Sequence, residues 1–160
     1  MTELTHIDTD GNAVMVDIIK KNETERIAIA AGSIFMKSTT LELINKRAVK
    51  KGDVLSIAQI AGIMGSKRTP DLIPLCHPIN LTSVNLILTP IIDDSSISIE
   101  ATCKVVGKTG VEMEALTAVT VTALTIYDMC KAADREMRIS DIRLVYKAGG
   151  KSGEYREIEQ

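Results

Sequence analysis

Apolar and polar positions alternate most strictly over residues 96–105. Ile97, Ile99, Ala101, Cys103 and Val105 share one side, and Ser96, Ser98, Glu100, Thr102 and Lys104 share the other. A period of two is the signature of a strand with one buried face. Asp93-Asp94-Ser95 supplies a turn before it and Gly107-Lys108-Thr109-Gly110 a turn after it. The apolar run RIAIAAGSIFM (26–36) and residues 84–89 read as two more strands, with Gly32 marking a bulge. A last strand is predicted where Ile142, Leu144 and Tyr146 alternate with Arg143, Val145 and Lys147, ahead of the Gly-rich AGGKSG.

Elsewhere the period lengthens. Thr39 followed by Glu42 has the form of a capping box, and Leu41, Ile44 and Ala48 continue at helical spacing, predicting a helix over 39–48. Asp53 is a good N-cap for a second helix, in which Val54, Ile57, Ala58, Ala61 and Met64 repeat; it should stop near Ser66, before Thr69-Pro70. Residues 67–80 hold three prolines and read as a long irregular segment. Residues 111–133 form the longest helical pattern, charged only towards its ends. A helix apolar nearly all round must be covered on most sides. With the two early helices taken as one connection, the order is β-α-β-β-α-β. That is an α+β, ferredoxin-like arrangement, an antiparallel sheet with helices packed on one face.

The chain has 160 residues and reads as one domain, with polar residues 1–13 as a flexible arm. Net charge is −2, so no global positive field draws nucleic acid or anionic lipid. Aromatic residues are 2% and none lies in 96–105, which argues against stacking RNA bases on the sheet. No apolar run reaches the roughly 20 residues of a membrane span. The polar start is unlike a signal peptide, so the cytoplasm is expected. Cys76, Cys103 and Cys130 are odd in number and make no CxxC pair, which fits a reducing compartment rather than a disulfide framework. With two histidines and no HExxH, no metal site is expected. GGKSG is not a phosphate-binding P-loop, because its first glycine would fall at Val145.

The chemistry-bearing residues gather in three motifs. In TGVEMEALT, Glu112 and Glu114 would share a side in an extended turn and diverge by about 200° in a helix. A solvated helix start would explain them equally well. In YDMCK, Asp128 and Lys131 are three apart on one helix face. They are either a surface ion pair or, among Ile126, Tyr127, Met129 and Cys130, a buried acid–base couple. In PLCHP, His77 is held between Cys76 and Pro78, either structurally or as a proton donor to a ligand. Cys76 and Cys130 read as small core residues. Lys50, Lys51, Lys67, Arg68, Lys108, Lys131, Lys147 and Lys151 cluster near turns, where backbone N–H groups could join them on a phosphate.

Four runs, MVDI (15–18), KGDVLSIAQIAGIMGSKRTPDLIPLCHP (51–78), KTGVEMEALTAVTVTALTIYDMCKAAD (108–134) and KAGGKSG (147–153), resemble the MoaC family of molybdenum cofactor biosynthesis. The resemblance runs in one register over nearly the whole chain. It implies a lyase that takes (8S)-3',8-cyclo-7,8-dihydroguanosine 5'-triphosphate from an upstream radical SAM enzyme. The product would be cyclic pyranopterin monophosphate, with pyrophosphate released. It implies Asp128 and Lys131 as the acid–base pair with Lys51 beside them. His77, Glu112 and Glu114 would line the same pocket, and Leu75, Cys76 and Met113 would touch substrate. Arg26, Lys67 and Lys147 are further candidates for phosphate contacts. No cofactor is implied beyond Mg2+ accompanying the triphosphate. The rival reading is a nucleotide-binding module that holds substrate without releasing pyrophosphate. Glu114 and Asp128 would lie about 21 Å apart along one helix of about 34 Å. An antiparallel second copy would bring them together, and the family resemblance implies a homohexamer built as a trimer of dimers.

Overall fold

The computed structural model describes residue 7 and residues 10–158. Most of the expected N-terminal arm, residues 1–6 and 8–9, lies outside them; Ile7 and Ala13 form an isolated antiparallel bridge. The centre of the sheet is β1 (Thr24–Phe35) against β3 (Ser96–Gly107), in unbroken antiparallel register with Ala30 opposite Ala101. With β2 (Ser83–Ile91), β4 (Arg138–Ala148) and the two-residue β5 (Tyr155–Arg156), the sheet order is β2-β3-β1-β4-β5, and every pairing is antiparallel. The protein is therefore α+β, consistent with the ferredoxin-like expectation. β5 is an added edge strand too short to carry a pattern of its own. Glycines at 149, 150 and 153, all with positive φ, turn the chain from β4 back to it.

The alternation in β3 is as expected: Ile97, Ile99, Ala101 and Cys103 are wholly buried and Val105 nearly so. Gly32 sits at a register shift between β1 and β4. A Cβ there would come within 2.8 Å of Val119 Cγ1, so the glycine also lets a helix lie close on the sheet. That helix is α4 (Glu112–Cys130), which buries Ala115, Ala118, Val119, Ala123 and Ile126. The sheet's other face carries two stacked pairs, with the Arg138 guanidinium 5.0 Å from the Phe35 ring centre and that of Arg156 4.6 Å from that of Tyr146.

The first connection holds α1 (Ser38–Asn45), α2 (Val54–Ser66) and the one-turn α3 (Thr69–Leu72), which lies in the segment expected to be irregular. Three details correct the sequence reading. Thr39 and Glu42 do not form a capping box: Thr39 is inside α1, whose N-cap is Lys37 with no side-chain cap of its own. The acceptor comes from Asp134, which takes the Lys37 backbone N–H at 2.8 Å and the Thr40 hydroxyl at 3.3 Å. α4 ends at Cys130 rather than at residue 133. Ala133 and Asp134 both bond back to the Cys130 carbonyl, and the chain then turns so that Asp134 can reach α1.

The third correction concerns α2. Asp53 caps it as expected, accepting the Ser56 N–H at 3.1 Å. Its buried face, however, is Val54, Ala58, Gly62 and Ser66, while Ile57, Ile60 and Met64 are exposed. Small residues are inside because α2 lies very close to α4. A Cβ on Gly62 would meet the Ala118 carbonyl and one on Gly65 the Val121 side chain. The large apolar residues are left facing outward, with Leu124 of α4 also exposed.

Candidate active site

α4 carries candidate groups at both ends. At its C-terminal end, Asp128 Oδ1 accepts from Lys131 Nζ at 2.7 Å, one helical turn on. Lys51 arrives from the loop between α1 and α2 and donates to Asp128 Oδ2 at 2.9 Å and to the Asp128 carbonyl at 2.8 Å. Hydrogen bonds from Lys131 first, and Lys51 next, hold the Asp128 carboxyl down to about 2, while donating to Asp128 raises Lys131. Of the two readings of this pair, burial among the flanking residues does not hold in the single chain: the side chains of Asp128 and Lys131 are 58% and 53% exposed. Ile126, Met129 and Cys130 face the core, and on a helix that turns the pair away from it. A cleft of about 350 Å³ opens beside this cluster, lined by Thr40, Leu43, Val49, Lys51, Met129 and Ala133 among others.

At the N-terminal end the two glutamates diverge, as helical geometry requires. Glu112 pairs with Lys147 at 2.8 Å, both half-buried, and Lys147 also reaches Ser152 Oγ at 3.3 Å. Glu114 is only 1% exposed and accepts from the Cys76 thiol at 3.6 Å. Burial pushes the Glu114 carboxyl up. Burial first, then the Glu114 charge, push the Cys76 thiol up to about 11. His77 Nε2 lies 2.8 Å from the Val16 carbonyl, so that nitrogen carries the proton it donates. Leu75 is half-buried in the same loop, and Met113 is exposed beside Glu114. Arg26 donates from Nε to the Gly107 carbonyl at 3.0 Å.

Arg26 also lines a cavity of about 730 Å³ with Lys20, Lys21, Gly150, Lys151 and Ser152. Four cations meet there around a Gly-rich turn, a setting suited to a polyphosphate. The sequence reading missed Lys20 and Lys21, although two adjacent lysines before a strand were the available signal. Lys67 is exposed at the C-terminal end of α2.

The chain thus brings Lys51 to Asp128 and Lys131. It gathers Cys76, His77, Glu112, Glu114, Arg26 and Lys147 around the opposite end of α4. Fourteen residues of helix, about 21 Å, separate Glu114 from Asp128. Among the described residues no group of three His, Cys, Asp or Glu side chains is placed to hold a metal ion. Among the described residues no helix is long and apolar enough to cross a membrane.

Comparison with known proteins agrees over nearly the full length. A protein of Rhodospirillum rubrum called cyclic pyranopterin monophosphate synthase is 64% identical over 150 residues, covering 94% of this chain and 90% of its own. Proteins of the same name from a Thermoanaerobacter species and from Clostridium perfringens are 59% and 58% identical, each covering at least 96% of both chains. The sequence pattern of the MoaC family matches residues 15–150, which include Lys51, Cys76, His77, Glu112, Glu114, Asp128, Lys131 and Lys147, and this chain belongs to that family.

Proposed function

We propose that this protein is a cyclic pyranopterin monophosphate synthase of molybdenum cofactor biosynthesis. It acts as a lyase on (8S)-3',8-cyclo-7,8-dihydroguanosine 5'-triphosphate, releasing pyrophosphate. The observation that carries this reading is near-full-length identity to relatives of that name, together with acid–base and cationic groups suited to the step. Forming the cyclic phosphate requires a substrate hydroxyl to attack the α-phosphorus while the β,γ-pyrophosphate leaves. Cations must therefore meet charge growing on the leaving oxygens. Lys147, Arg26 and the lysines of the large cavity suit that task, and Lys67 is assigned with them. Glu112 suits the N–H donors of the guanine-derived ring. The Leu75–His77 loop and Met113–Glu114 form the adjoining wall.

Ring rearrangement needs proton transfers. Asp128, held near 2, is a fixed negative charge at neutral pH; it raises Lys131 and accepts a hydrogen bond from Lys51. The Lys131 ammonium group is thus ready as an acid. Covering it would add desolvation, which lowers a lysine towards working pH and lets it act as a base after donating. Mg2+ enters as the counter-ion of the triphosphate, and no residue is assigned to it.

The cover is a second copy of the chain. Half a site at each end of α4, and exposed Ile57, Ile60, Met64 and Leu124, support a site shared across an antiparallel dimer. Three such dimers make the proposed homohexamer. Cys76, Cys103 and Cys130 are all free thiols, which suits the cytoplasm. Incubation with the upstream enzyme's product, assaying pyrophosphate and pterin, tests the activity; binding without pyrophosphate release refutes it. Mixing Glu114→Ala with Lys131→Ala chains tests the shared site. Confirmed subunit exchange should restore partial activity, and no restoration refutes the shared arrangement.

A further inference from the structure

Asp134 has no part in the chemistry above, yet its side chain is fully buried. A buried carboxylate is tolerated where donors surround it. Here they come from two elements that are distant in sequence. Oδ2 accepts from the Lys37 N–H and the Thr40 hydroxyl at the start of α1, and Oδ1 accepts the Glu136 N–H at 3.0 Å in its own loop. Lys37 Nζ adds its charge at 3.9 Å. Burial alone would push the Asp134 carboxyl up, but these donors outweigh it and the group stays below the usual carboxylate range, ionised at the N-terminus of α1.

α1 leads directly into the loop that carries Lys51. Between that stretch and the exit of α4 lies the 350 Å³ cleft, so space rather than packing separates part of the two. Thr40 and Lys51 both line the cleft, and each is bonded across to the α4 side, Thr40 to Asp134 and Lys51 to Asp128. Asp134 follows Lys131 by three residues, so one short stretch of chain holds α1 and presents the lysine.

We propose that Asp134 is a positioning residue: by pinning α1 to the exit of α4 it keeps Lys51 against Asp128 and Lys131. The proposal rests on the assignment of those three residues to the reaction. Loss of the pin lets the cleft open, and a misplacement near 1 Å is enough to slow catalysis by about 10-fold or more.

Two full-length variants test it. Asp134→Asn leaves one acceptor and turns an amide N–H₂ towards a donor. Lys37→Pro removes the N–H from the other side; Lys37 has φ −66°, the value proline fixes, so the backbone need not bend. Turnover is measured per folded molecule, with the Asp128 carboxyl titrated by carbon NMR in parallel. For whichever variants fold, kcat should fall about 10-fold with KM little changed. The Asp128 titration should move up from about 2 towards 3.8 as Lys51 withdraws. A folded variant that keeps both values overturns the proposal, and so does a fall in kcat with the titration unmoved. A moved titration with full turnover would instead refute the catalytic assignment of Lys51 and Asp128 while leaving the pin intact.

Discussion

Gly62 offers the sharpest test of how α2 holds the site together. In a helix interior, Gly→Ala ordinarily stabilises by about 1 kcal/mol. Here the added Cβ would overlap Thr122 Oγ1 and reach both the Ala118 carbonyl and Leu86 Cδ1 at 3.0 Å. Two of the three neighbours cannot easily yield: Ala118 O is backbone, and the fully buried Thr122 donates its hydroxyl to the Ala58 carbonyl at 3.3 Å. Overpacking costs about 1–3 kcal/mol, and the strained hydrogen bond adds about 1 kcal/mol. The propensity gain offsets only part, leaving a net loss of about 1–3 kcal/mol. For a chain of this size that lowers Tm by about 3–10 °C.

Calorimetry at fixed protein concentration reads the loss, and turnover should fall with it, because α2 begins just after Lys51. The double variant Gly62→Ala with Thr122→Ala should recover stability relative to the sum of the singles, by about 1 kcal/mol or more. A Gly62→Ala protein as stable as the parent, or additive effects in the double, would refute the close-contact argument.

Asp128→Ala and Lys131→Ala should each abolish pyrophosphate release with circular dichroism unchanged, since both side chains are more than half exposed; a folded variant with near-parental turnover removes them from the chemistry. The lowered Asp128 carboxyl contributes stability above its unfolded value of 3.8 that is lost as pH falls towards 2, so Asp128→Asn should flatten the acid side of a denaturation-against-pH curve. The raised Glu114 carboxyl works the other way. Its contribution is complete below 4.5 and lost as pH rises through its folded value, and Glu114→Gln should remove that decline. The Cys76 thiol near 11 and Cys103 near 12 should resist iodoacetamide at pH 8 in the folded protein; rapid labelling of either would contradict their burial.

What the sequence disclosed was local. The two-residue period of β3 and the cap at Asp53 need only neighbours, and both were readable. So was the separation of Glu114 from Asp128, because helical rise converts spacing into distance. What it hid depends on residues far along the chain. The acceptor that caps α1 is 97 positions from Lys37, so the nearby Thr39 and Glu42 misled. Lys51 and Asp128 meet across 77 positions, and the family resemblance alone placed them together. The buried face of α2 was read correctly at Val54 and Ala58 but misread at Ile57 and Met64, because hydrophobicity favours those two, whereas a close helix crossing favours Gly62 and Ser66. The exposure of Asp128 follows from helical period: Ile126, Met129 and Cys130 share the core face, and apolar neighbours in sequence are not neighbours on that face.

The floor beneath α4 is built from Ala28, Ala30, Gly32 and Ala101, side chains with almost no volume to give up. Over evolutionary time these positions cannot drift singly. A larger residue at Gly32 must be matched by a loss on Val119 above it, or the helix lifts and its two ends move with it. Divergence in such a protein is therefore expected to proceed by paired exchange at the sheet–helix seam. The exposed positions of β2, Ser83, Asn85, Ile87 and Thr89, carry no such constraint from the seam.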